Sequence, residues 1–195
     1  MNLYARQQNL LVPRTLLIVG CGGVGSWAAI IAALAGVENI ILVDYDTIEE
    51  HNLNRLPFPP SSVNTHKATT LKNFISSLRP HATIVALTQP VDTNILKAIT
   101  DQFILDAIID CTDRFNVQKI IYLFAKGKNI PYIKAGCDLS SVTIHTTVPD
   151  WGDAPDGYTV IPTWAGTAAI AGALAIAETM GEKITITTPQ EAYHA

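Results

Sequence analysis

The apolar positions of the chain fall into short, nearly continuous runs that alternate with longer segments of helical spacing. The first run, Thr15 to Val19, ends at a glycine and predicts a strand buried on both faces of a parallel sheet. The segment from Val24 to Ala35 predicts a helix that Gly36 closes. "ENIILVD" repeats the strand signal up to Asp44, and "HKATTLKNFISSLRP" has helical spacing up to Pro80. Strand and helix therefore alternate from the start of the predicted fold.

Three more strands, "ATIVAL", "DAIIDC" and "PYIKAG", continue the alternation. They are separated by the helical segments "DTNILKAITDQF" and Phe115 to Lys126. After Ser141 the pattern changes: "SVTIHTTV" alternates as an edge strand does, a loop runs to Pro162, a small-residue helix covers Trp164 to Met180, and "KITITT" predicts a last strand. This order predicts an α/β fold with a doubly wound, mostly parallel sheet, helices on both faces and antiparallel C-terminal strands.

The composition indicates a globular domain and argues against two classes of partner. With 195 residues, of which 48% are hydrophobic and 15% charged, the chain predicts a single domain over residues 1–195. Its formal net charge of -4 argues against a nucleic-acid-binding surface, which needs a basic stripe. The apolar segments Val24 to Val37 and Trp164 to Ala177 are shorter than the roughly 18 to 20 residues that cross a bilayer, so we expect no membrane partner.

The three cysteines indicate a reducing compartment. Cys21, Cys111 and Cys137 form an odd set without a CxxC pair, so the sequence predicts neither a disulfide framework nor a zinc site. Free cysteines of this kind usually behave as small buried apolar side chains. We therefore expect a cytoplasmic protein.

A glycine-rich turn joins the first predicted strand to the first predicted helix. Gly20, Gly22 and Gly25 match the pattern GxGxxG in this context, and Gly23 adds a fourth glycine. Without Cβ atoms, backbone N–H groups approach phosphate oxygens closely, and the helix N-terminus adds partial positive charge. Asp44, at the end of the second strand, is suited to accept hydrogen bonds from a ribose. The pattern predicts a Rossmann-like nucleotide site and leaves open whether the ligand is NAD or ATP.

The segment after the second strand favours ATP over NAD. The polar and cationic side chains that it places in and after this loop are Asp46, Asn52, Asn54, Arg55 and Lys67. A triphosphate carries about four negative charges and needs cationic side chains, and usually magnesium, for in-line displacement. A hydride-transfer enzyme has no such need here, because its chemistry occurs at the nicotinamide. Arg55 is suited to a bidentate phosphate contact and Lys67 to a point-charge contact, while the alternative for either cation is a solvated face.

The fourth predicted strand ends in "IIDCTDRF", which brings two more carboxylates, Asp110 and Asp113, to the same edge of the sheet. Asp113 stands at or near a helix start, where it would cap the helix. Its carboxylate is equally a ligand that a hard cation such as Mg²⁺ prefers. The spacing does not choose between these two roles.

Several motifs, in their order along the chain, resemble those of one family. "YARQ", "GCGGVGS", "VDYDTIEEHNLNR", Lys67 and "DCTD" together resemble the ThiF/MoeB/HesA family, which includes the adenylation domains of ubiquitin-activating enzymes. The resemblance extends from about Tyr4 to Met180 and includes the late stretch "YTVIPTWAG". It implies an enzyme that uses ATP to adenylate the C-terminal carboxylate of a small ubiquitin-like (β-grasp) or sulfur-carrier protein, usually ending in Gly-Gly, with release of pyrophosphate.

The resemblance also implies roles for individual residues around the nucleotide. Asp44 would bind the ribose. Asp46 and Asn52 would line the nucleotide site together with the glycine turn. Arg55 and Lys67 would be catalytic residues that contact the phosphates.

Further implications concern the metal, the oligomer and the departures from the family pattern. Asp113 would hold Mg²⁺, and Arg6 in "YARQ" would be a catalytic residue supplied to a neighbouring subunit, which implies a homodimer. The zinc-binding CxxC pairs common in the family are missing, so the expected cofactors are ATP and Mg²⁺ without zinc. Leu56 stands where glutamine often follows Arg55, and Gln118 stands where arginine is usual. These departures motivate one alternative, a non-catalytic nucleotide- or partner-binding member; an NAD-dependent oxidoreductase is the other.

Overall fold

The structure, a computed structural model, describes residues 3–4, 6–7, 9–148 and 162–184. Within these residues six strands form one sheet in the order β3-β2-β1-β4-β5-β6. The strands are β1 Thr15–Val19, β2 Asn39–Val43, β3 Thr83–Leu87, β4 Ala107–Asp110, β5 Tyr132–Cys137 and β6 Val142–His145. The helices are α1 Gly23–Ala35, α2 Lys67–Leu78, α3 Thr93–Gln102, α4 Phe115–Lys128 and α5 Ala165–Thr179, with short 3-10 turns at Glu50–Asn52 and Pro60–Ser62.

The sheet is parallel except at one edge. β1 pairs in parallel with β2 on one side and with β4 on the other, and β5 continues in parallel beside β4. β6 runs antiparallel to β5, with Lys134 opposite His145. The strand order reverses between β1 and β4, and in open α/β sheets ligands bind beyond the carboxyl ends of the strands at this point. The predicted fold class is confirmed.

Helices cover both faces of the sheet, which explains the uninterrupted apolar runs in its central strands. Along β1, Leu16 and Ile18 belong to the core on the side of α1, α2 and α5. Leu17 and Val19 belong to a second core on the side of α3 and α4. Burial of each such side chain stabilises the folded state by about 1.5–3 kcal/mol. Polar residues at alternate positions, as in an exposed strand, would lose this stabilisation on one face of β1.

The C-terminal part of the prediction is covered only in part. α5 is one residue shorter at each end than the predicted helix Trp164 to Met180. Residues 149–161, the bulk of the predicted loop, and residues 185–188 of the predicted strand "KITITT" lie outside the described residues. Across the described ranges, no helix combines the length and the apolar character that a bilayer crossing requires.

Candidate active site

The glycine turn is closed by contacts that two of its glycines make possible. Gly20 has a φ of +88°, and its N–H donates to the Val43 carbonyl at 2.8 Å, which ties the end of β1 to the end of β2. A Cβ on Gly25 would overlap the Gly20 carbonyl oxygen, so α1 packs directly on the turn. A Cβ on Gly22, in contrast, would stand in open space. Gly25 therefore shapes the turn, and Gly22 leaves room above it.

The N-terminus of α1 has no side-chain cap, because its N-cap residue is Gly22. Ser26, in the first turn, is fully buried and donates its hydroxyl to the Cys21 carbonyl at 2.9 Å, so it stabilises the turn from inside. The N–H groups at the start of a helix have no intrahelical acceptor. Together with the helix dipole they offer a binding position for an anion.

Asp44 ties the end of β2 to the glycine turn. Its Oδ2 accepts from the Cys21 N–H at 2.6 Å, and its Oδ1 accepts from the Asp46 N–H at 2.8 Å. Burial raises the pKa of Asp44 above its usual value, an effect opposed by these two hydrogen bonds and by the nearby Lys67 ammonium. Each carboxylate oxygen retains a lone pair after one such bond, so Asp44 can still accept from a ribose hydroxyl.

Lys67 begins α2 and points toward the same turn. Its Nζ lies 3.0 Å from Oδ2 of Asp46, and its side chain is 13% exposed. Burial raises the pKa of Cys21, and the Lys67 ammonium opposes that rise, so the ammonium acts on the glycine turn as well as on Asp46. Lys67 is thus a shielded cation whose one carboxylate partner is half-exposed.

Arg55 is held across the first turn of α1. Its Cδ lies 3.1 Å from the point where a Cβ of Gly23 would stand, and the Trp27 indole N–H donates to its carbonyl at 3.2 Å. The guanidinium Nη1 donates to the carbonyl oxygen of His51 and to Oδ1 of Asn54. No carboxylate of the described residues forms an ion pair with it. Arg55 and Lys67 therefore both lie beside the turn, one paired with an acid and the other not.

Two residues of the same loop serve its local structure. Asn52 is buried, and its Oδ1 accepts from the Glu49 N–H at 3.1 Å in a reciprocal cap of the short 3-10 turn. Leu56 is 6% exposed and packs in the core on the α1 side. The side chain that departs from the family pattern here is therefore an apolar core residue.

Asp113 is exposed and does not cap α4. The N-cap of α4 is Arg114, and no side chain caps this helix. No group of three or more histidine, cysteine, aspartate and glutamate side chains suited to a metal ion occurs in the described part of the chain. Of the two roles that the sequence leaves open for Asp113, the structure removes capping.

Arg6 lies far from the glycine turn of its own chain. The neighbouring Tyr4 packs its ring against Gly36, which closes the far end of α1. A helix of 13 residues is about 20 Å long, so the whole of α1 separates this contact from the turn. Arg6 itself is exposed. The structure brings together the glycine turn, Asp44, Arg55 and Lys67, which we call the glycine-loop site, and leaves Arg6 outside it.

A second group of polar side chains lies on the α4 side of the sheet, where the carboxyl end of β4 pairs with the first half of β5. We call it the β4–β5 cluster; its members are Asp110, Gln118, Tyr132 and Lys134. Oδ2 of Asp110, a fully buried residue, accepts from the Tyr132 hydroxyl at 2.7 Å, and its Oδ1 accepts from the N–H and the hydroxyl of Thr112. Gln118 donates from Nε2 to the Thr112 carbonyl, and its buried Oε1 accepts no hydrogen bond from the part of the chain that the structure describes.

Sequence reasoning noted Asp110 and Gln118 but missed Tyr132 and Lys134. Lys134 is 5% exposed in the middle of β5, which makes it an unusual occupant of a buried strand. A charged residue inside the apolar run "PYIKAG" was the available signal. Burial raises the pKa of the Tyr132 phenol, and the Asp110 carboxylate raises it further, so the hydroxyl stays a donor.

This chain is similar in sequence to curated adenylyltransferases. Molybdopterin-synthase adenylyltransferase of Haemophilus influenzae is 28% identical over 152 residues, which are 75% of this chain and 62% of that relative. Adenylyltransferase and sulfurtransferase UBA4 of Yarrowia lipolytica is 30% identical over 122 residues, 63% of this chain and 30% of that protein. The chain thus spans between about a third and two thirds of the length of these curated relatives.

The fold is shared with solved structures as well. The crystal structure of E. coli MccB with ATP has a TM-score of 0.77 and 22% sequence identity, and the match covers 92% of this chain and 63% of that one. At this identity the likeness concerns the fold alone. A model of the family described as "ThiF family" matches residues 2–152. This match extends over most of the chain, and the protein belongs to the ThiF family.

Proposed function

We propose that this protein uses ATP to adenylate the C-terminal carboxylate of a small ubiquitin-like or sulfur-carrier protein, with release of pyrophosphate. The observation that carries the proposal is the position of Arg55: its side chain lies against Gly23 at the uncapped N-terminus of α1, and its guanidinium forms no ion pair with a carboxylate of the described residues. The curated relatives described above are named adenylyltransferases, which supports the same chemistry. The acceptor is expected to end in Gly-Gly, as in the family that the motifs resemble.

The glycine-loop site supplies the electrostatics that this reaction needs. Phosphate oxygens would accept from the first-turn N–H groups of α1, and Arg55 would bind a neighbouring oxygen through its planar fork. Lys67 would exchange its bond to Asp46 for a phosphate oxygen, since that acid is half-exposed and free to turn to solvent. The acceptor carboxylate oxygen attacks the α-phosphorus, the bond from that phosphorus to the bridging oxygen breaks, and pyrophosphate leaves with the electron pair. Cations fixed at the developing charge lower the barrier to this step.

Asp113 is the proposed Mg²⁺ residue. Its exposed carboxylate makes no hydrogen bond or ion pair with the described residues, so its oxygens are available. Mg²⁺ commonly binds through one or two protein carboxylates plus substrate phosphates and waters, so a single acid fits this mode. A bound Mg²⁺ would neutralise phosphate charge. We propose no zinc site.

We also propose that residues 1–195 form one adenylation domain and that this domain acts in a homodimer in which Arg6 completes the site of the neighbouring subunit. Arg6 is exposed, and its neighbour Tyr4 packs at the end of α1 opposite the glycine turn, so Arg6 cannot act in its own site without a large movement. An arginine from a second subunit would add a third cation to the triphosphate. The expected compartment is the cytoplasm, because the three cysteines are free.

A second candidate is a member that binds nucleotide without turning it over. The observation that favours it is Gln118, which is buried and tied to the Thr112 carbonyl where the family pattern has a cation. Such a protein would bind ATP and a partner but produce no pyrophosphate. An NAD-dependent oxidoreductase is the third candidate function, and its hydride transfer would not require Arg55 or Lys67.

Calorimetric titrations that measure the binding of ATP and, separately, of NAD distinguish the first two candidate functions from the third. ATP–pyrophosphate exchange with small Gly-Gly-tailed proteins then distinguishes catalysis from binding alone. Arg55→Ala should lower the exchange rate about 10²-fold, the usual loss of one preorganised donor. Arg14→Ala is the matched control, because Arg14 pairs with Glu38 at the opposite end of the sheet. ATP binding without exchange by any carrier supports the second reading, and an unchanged rate in Arg55→Ala removes that residue from the mechanism.

A further inference from the structure

The short segment between β4 and α4 lies against the glycine turn. The Cys111 N–H donates to the Val19 carbonyl at 2.8 Å, which joins this segment to the end of β1. A Cβ on Gly20 would stand 2.9 Å from the Cys111 carbonyl oxygen and 3.3 Å from the Thr112 nitrogen. The absence of a side chain at Gly20 therefore allows the two backbones to approach this closely. Asp113 is the next residue after this contact.

Thr112 is held through its N–H, its hydroxyl and its carbonyl. The N–H and the hydroxyl both donate to Oδ1 of Asp110, at 2.8 and 2.7 Å. The carbonyl accepts from Nε2 of Gln118 at 2.9 Å. Asp110 is fully buried and Gln118 is 3% exposed. Thr112 is thus tied to β4 through Asp110 and to α4 through Gln118.

Gln118 makes this contact at a cost to the stability of the fold. Its Oε1 is buried and accepts no hydrogen bond from the described residues. A buried polar atom without a partner destabilises the folded state. An apolar side chain of the same length would avoid this penalty but would lose the donor to the Thr112 carbonyl. Stability alone therefore does not explain a glutamine at this position.

The contact bears on the proposed reaction because Asp113 follows Thr112 directly. The Asp113 carboxylate is exposed and has no hydrogen bond or ion pair of its own among the described residues. Consecutive Cα atoms are about 3.8 Å apart, so a fixed Thr112 fixes the point from which the Asp113 side chain extends. Loss of a contact that orients a metal ligand typically weakens metal binding about 10- to 100-fold.

We infer that Gln118 is a positioning residue for the proposed Mg²⁺ site: it holds Thr112 and thereby sets where the Asp113 carboxylate lies beside the glycine turn. This inference rests on the proposed function, which assigns the metal to Asp113. Gln118 is buried and acts only through Thr112. The residue that favours the non-catalytic candidate by its departure from the family pattern therefore has a defined role in the catalytic one.

The test compares two variants of the β4–β5 cluster. Gln118→Met keeps the length of the side chain and removes the donor to Thr112. Tyr132→Phe removes a hydrogen bond to Asp110 but none to Thr112, so it controls for a general loss of stability in the cluster. Gln102→Met, at the exposed last residue of α3, controls for the chemical change itself.

Calorimetric titration with ATP at a series of Mg²⁺ concentrations provides the readout. It gives the affinity for ATP without metal and the Mg²⁺ concentration at which half of the gain in affinity is reached. Gln118→Met should raise this concentration about tenfold and leave the affinity without metal unchanged. Tyr132→Phe and Gln102→Met should keep the wild-type value. An equal rise in Tyr132→Phe overturns the inference, because the effect would then belong to the stability of the cluster.

Three further variants test the route from Gln118 to the metal. Thr112→Val removes the hydroxyl that donates to Asp110 and should also raise the Mg²⁺ requirement, whereas Thr112→Ser keeps the hydroxyl and should restore the wild-type value. The double variant Gln118→Met/Asp113→Asn should need no more Mg²⁺ than Asp113→Asn alone, because the effect of Gln118 passes through Asp113. Additive losses in the double variant overturn the inference.

Amide hydrogen exchange of residues 111–113 measures the contact without nucleotide or metal. Exchange should be at least tenfold faster in Gln118→Met than in the wild type or Gln102→Met, and equal rates overturn the inference while leaving the proposed function intact. ATP binding by the wild type that Mg²⁺ does not strengthen overturns it as well. If the wild type binds no ATP, the proposed function fails together with the metal assignment at Asp113, and the exchange rates still decide whether Gln118 holds Thr112.

Discussion

The glycine-loop site and the β4–β5 cluster lie at the same edge of the sheet but are built in opposite ways. The first consists of backbone N–H groups, one buried acid and two cations, one in the loop after β2 and one at the start of α2, with an ion pair that solvent can replace. The second is enclosed: Asp110 is fully buried, and among the described residues Gln118 Oε1 has no hydrogen-bond donor and the Lys134 ammonium donates to one carbonyl. Substitutions in the first should therefore affect ligands more than folding, except where the turn itself is packed. Substitutions in the second should affect folding directly.

The largest effect on folding is expected within the glycine turn itself. Gly25→Ala should lower the free energy of unfolding by about 3 kcal/mol, because the new Cβ overlaps the Gly20 carbonyl and forces α1 away from the turn. Gly22→Ala is the matched control, since its Cβ meets open space and should change stability by less than about 1 kcal/mol. Urea unfolding measures both. Equal losses in the two variants would show that the turn is not closed as described.

The next largest effect is expected in the β4–β5 cluster. Tyr132→Phe removes the hydroxyl that donates to Asp110 at 2.7 Å and leaves a buried carboxylate oxygen without that donor. The expected loss is about 1.5–3 kcal/mol of unfolding free energy. Tyr122→Phe is the control, because Tyr122 contacts the Tyr132 ring edge-on and its hydroxyl has no hydrogen bond to described residues. A loss in Tyr122→Phe as large as in Tyr132→Phe would assign the effect to ring packing instead.

A smaller, pH-dependent effect is expected at Asp44. Burial raises the pKa of Asp44 above 3.8, so the folded state favours the protonated carboxyl more than the unfolded state does. Stability contributed by Asp44 is therefore greatest below its unfolded pKa and decreases as the pH rises through the folded pKa. As the pH rises from about 4, the unfolding free energy of the wild type should therefore decrease relative to that of Asp44→Asn. Urea titrations of both proteins between pH 4 and 7 measure this trend, and the opposite slope contradicts it.

The strands and the glycine turn could be predicted from the sequence because each of them has a recognisable residue pattern within its own segment. β1, β2 and β4 are covered on both faces and so read as unbroken apolar runs, and the exposed alternation of "SVTIHTTV" predicted the edge strand β6. The glycine turn and Asp44 were likewise found from spacing between a strand and a helix. In these cases the physical cause lies within a few residues of the pattern.

The remaining features depend on contacts between distant segments. Trp27 of α1 holds the Arg55 carbonyl across 28 positions, and no local pattern encodes that contact. The burial of Lys134 became visible only in the folded structure, where it is 5% exposed in a strand that pairs with β6. To decide whether Asp113 caps α4, the start of that helix had to be known: it begins at Phe115, and its N-cap is Arg114. Sequence reasoning therefore identified most candidate residues but not the surroundings that decide what each one does.

The smallest effect on folding, with a large effect on ligand binding, is expected at Lys67. Lys67→Met removes one ion pair to the half-exposed Asp46, so unfolding should change by less than about 1 kcal/mol. Affinity for ATP should fall at least tenfold, equivalent to about 1.4 kcal/mol, because the lost cation is the one that would move from Asp46 to a phosphate. Lys72→Met, in the same helix α2, controls for a general loss of positive charge. Calorimetry with ATP and urea unfolding on both variants give the two numbers, and a loss confined to stability would make Lys67 a structural partner of Asp46 alone.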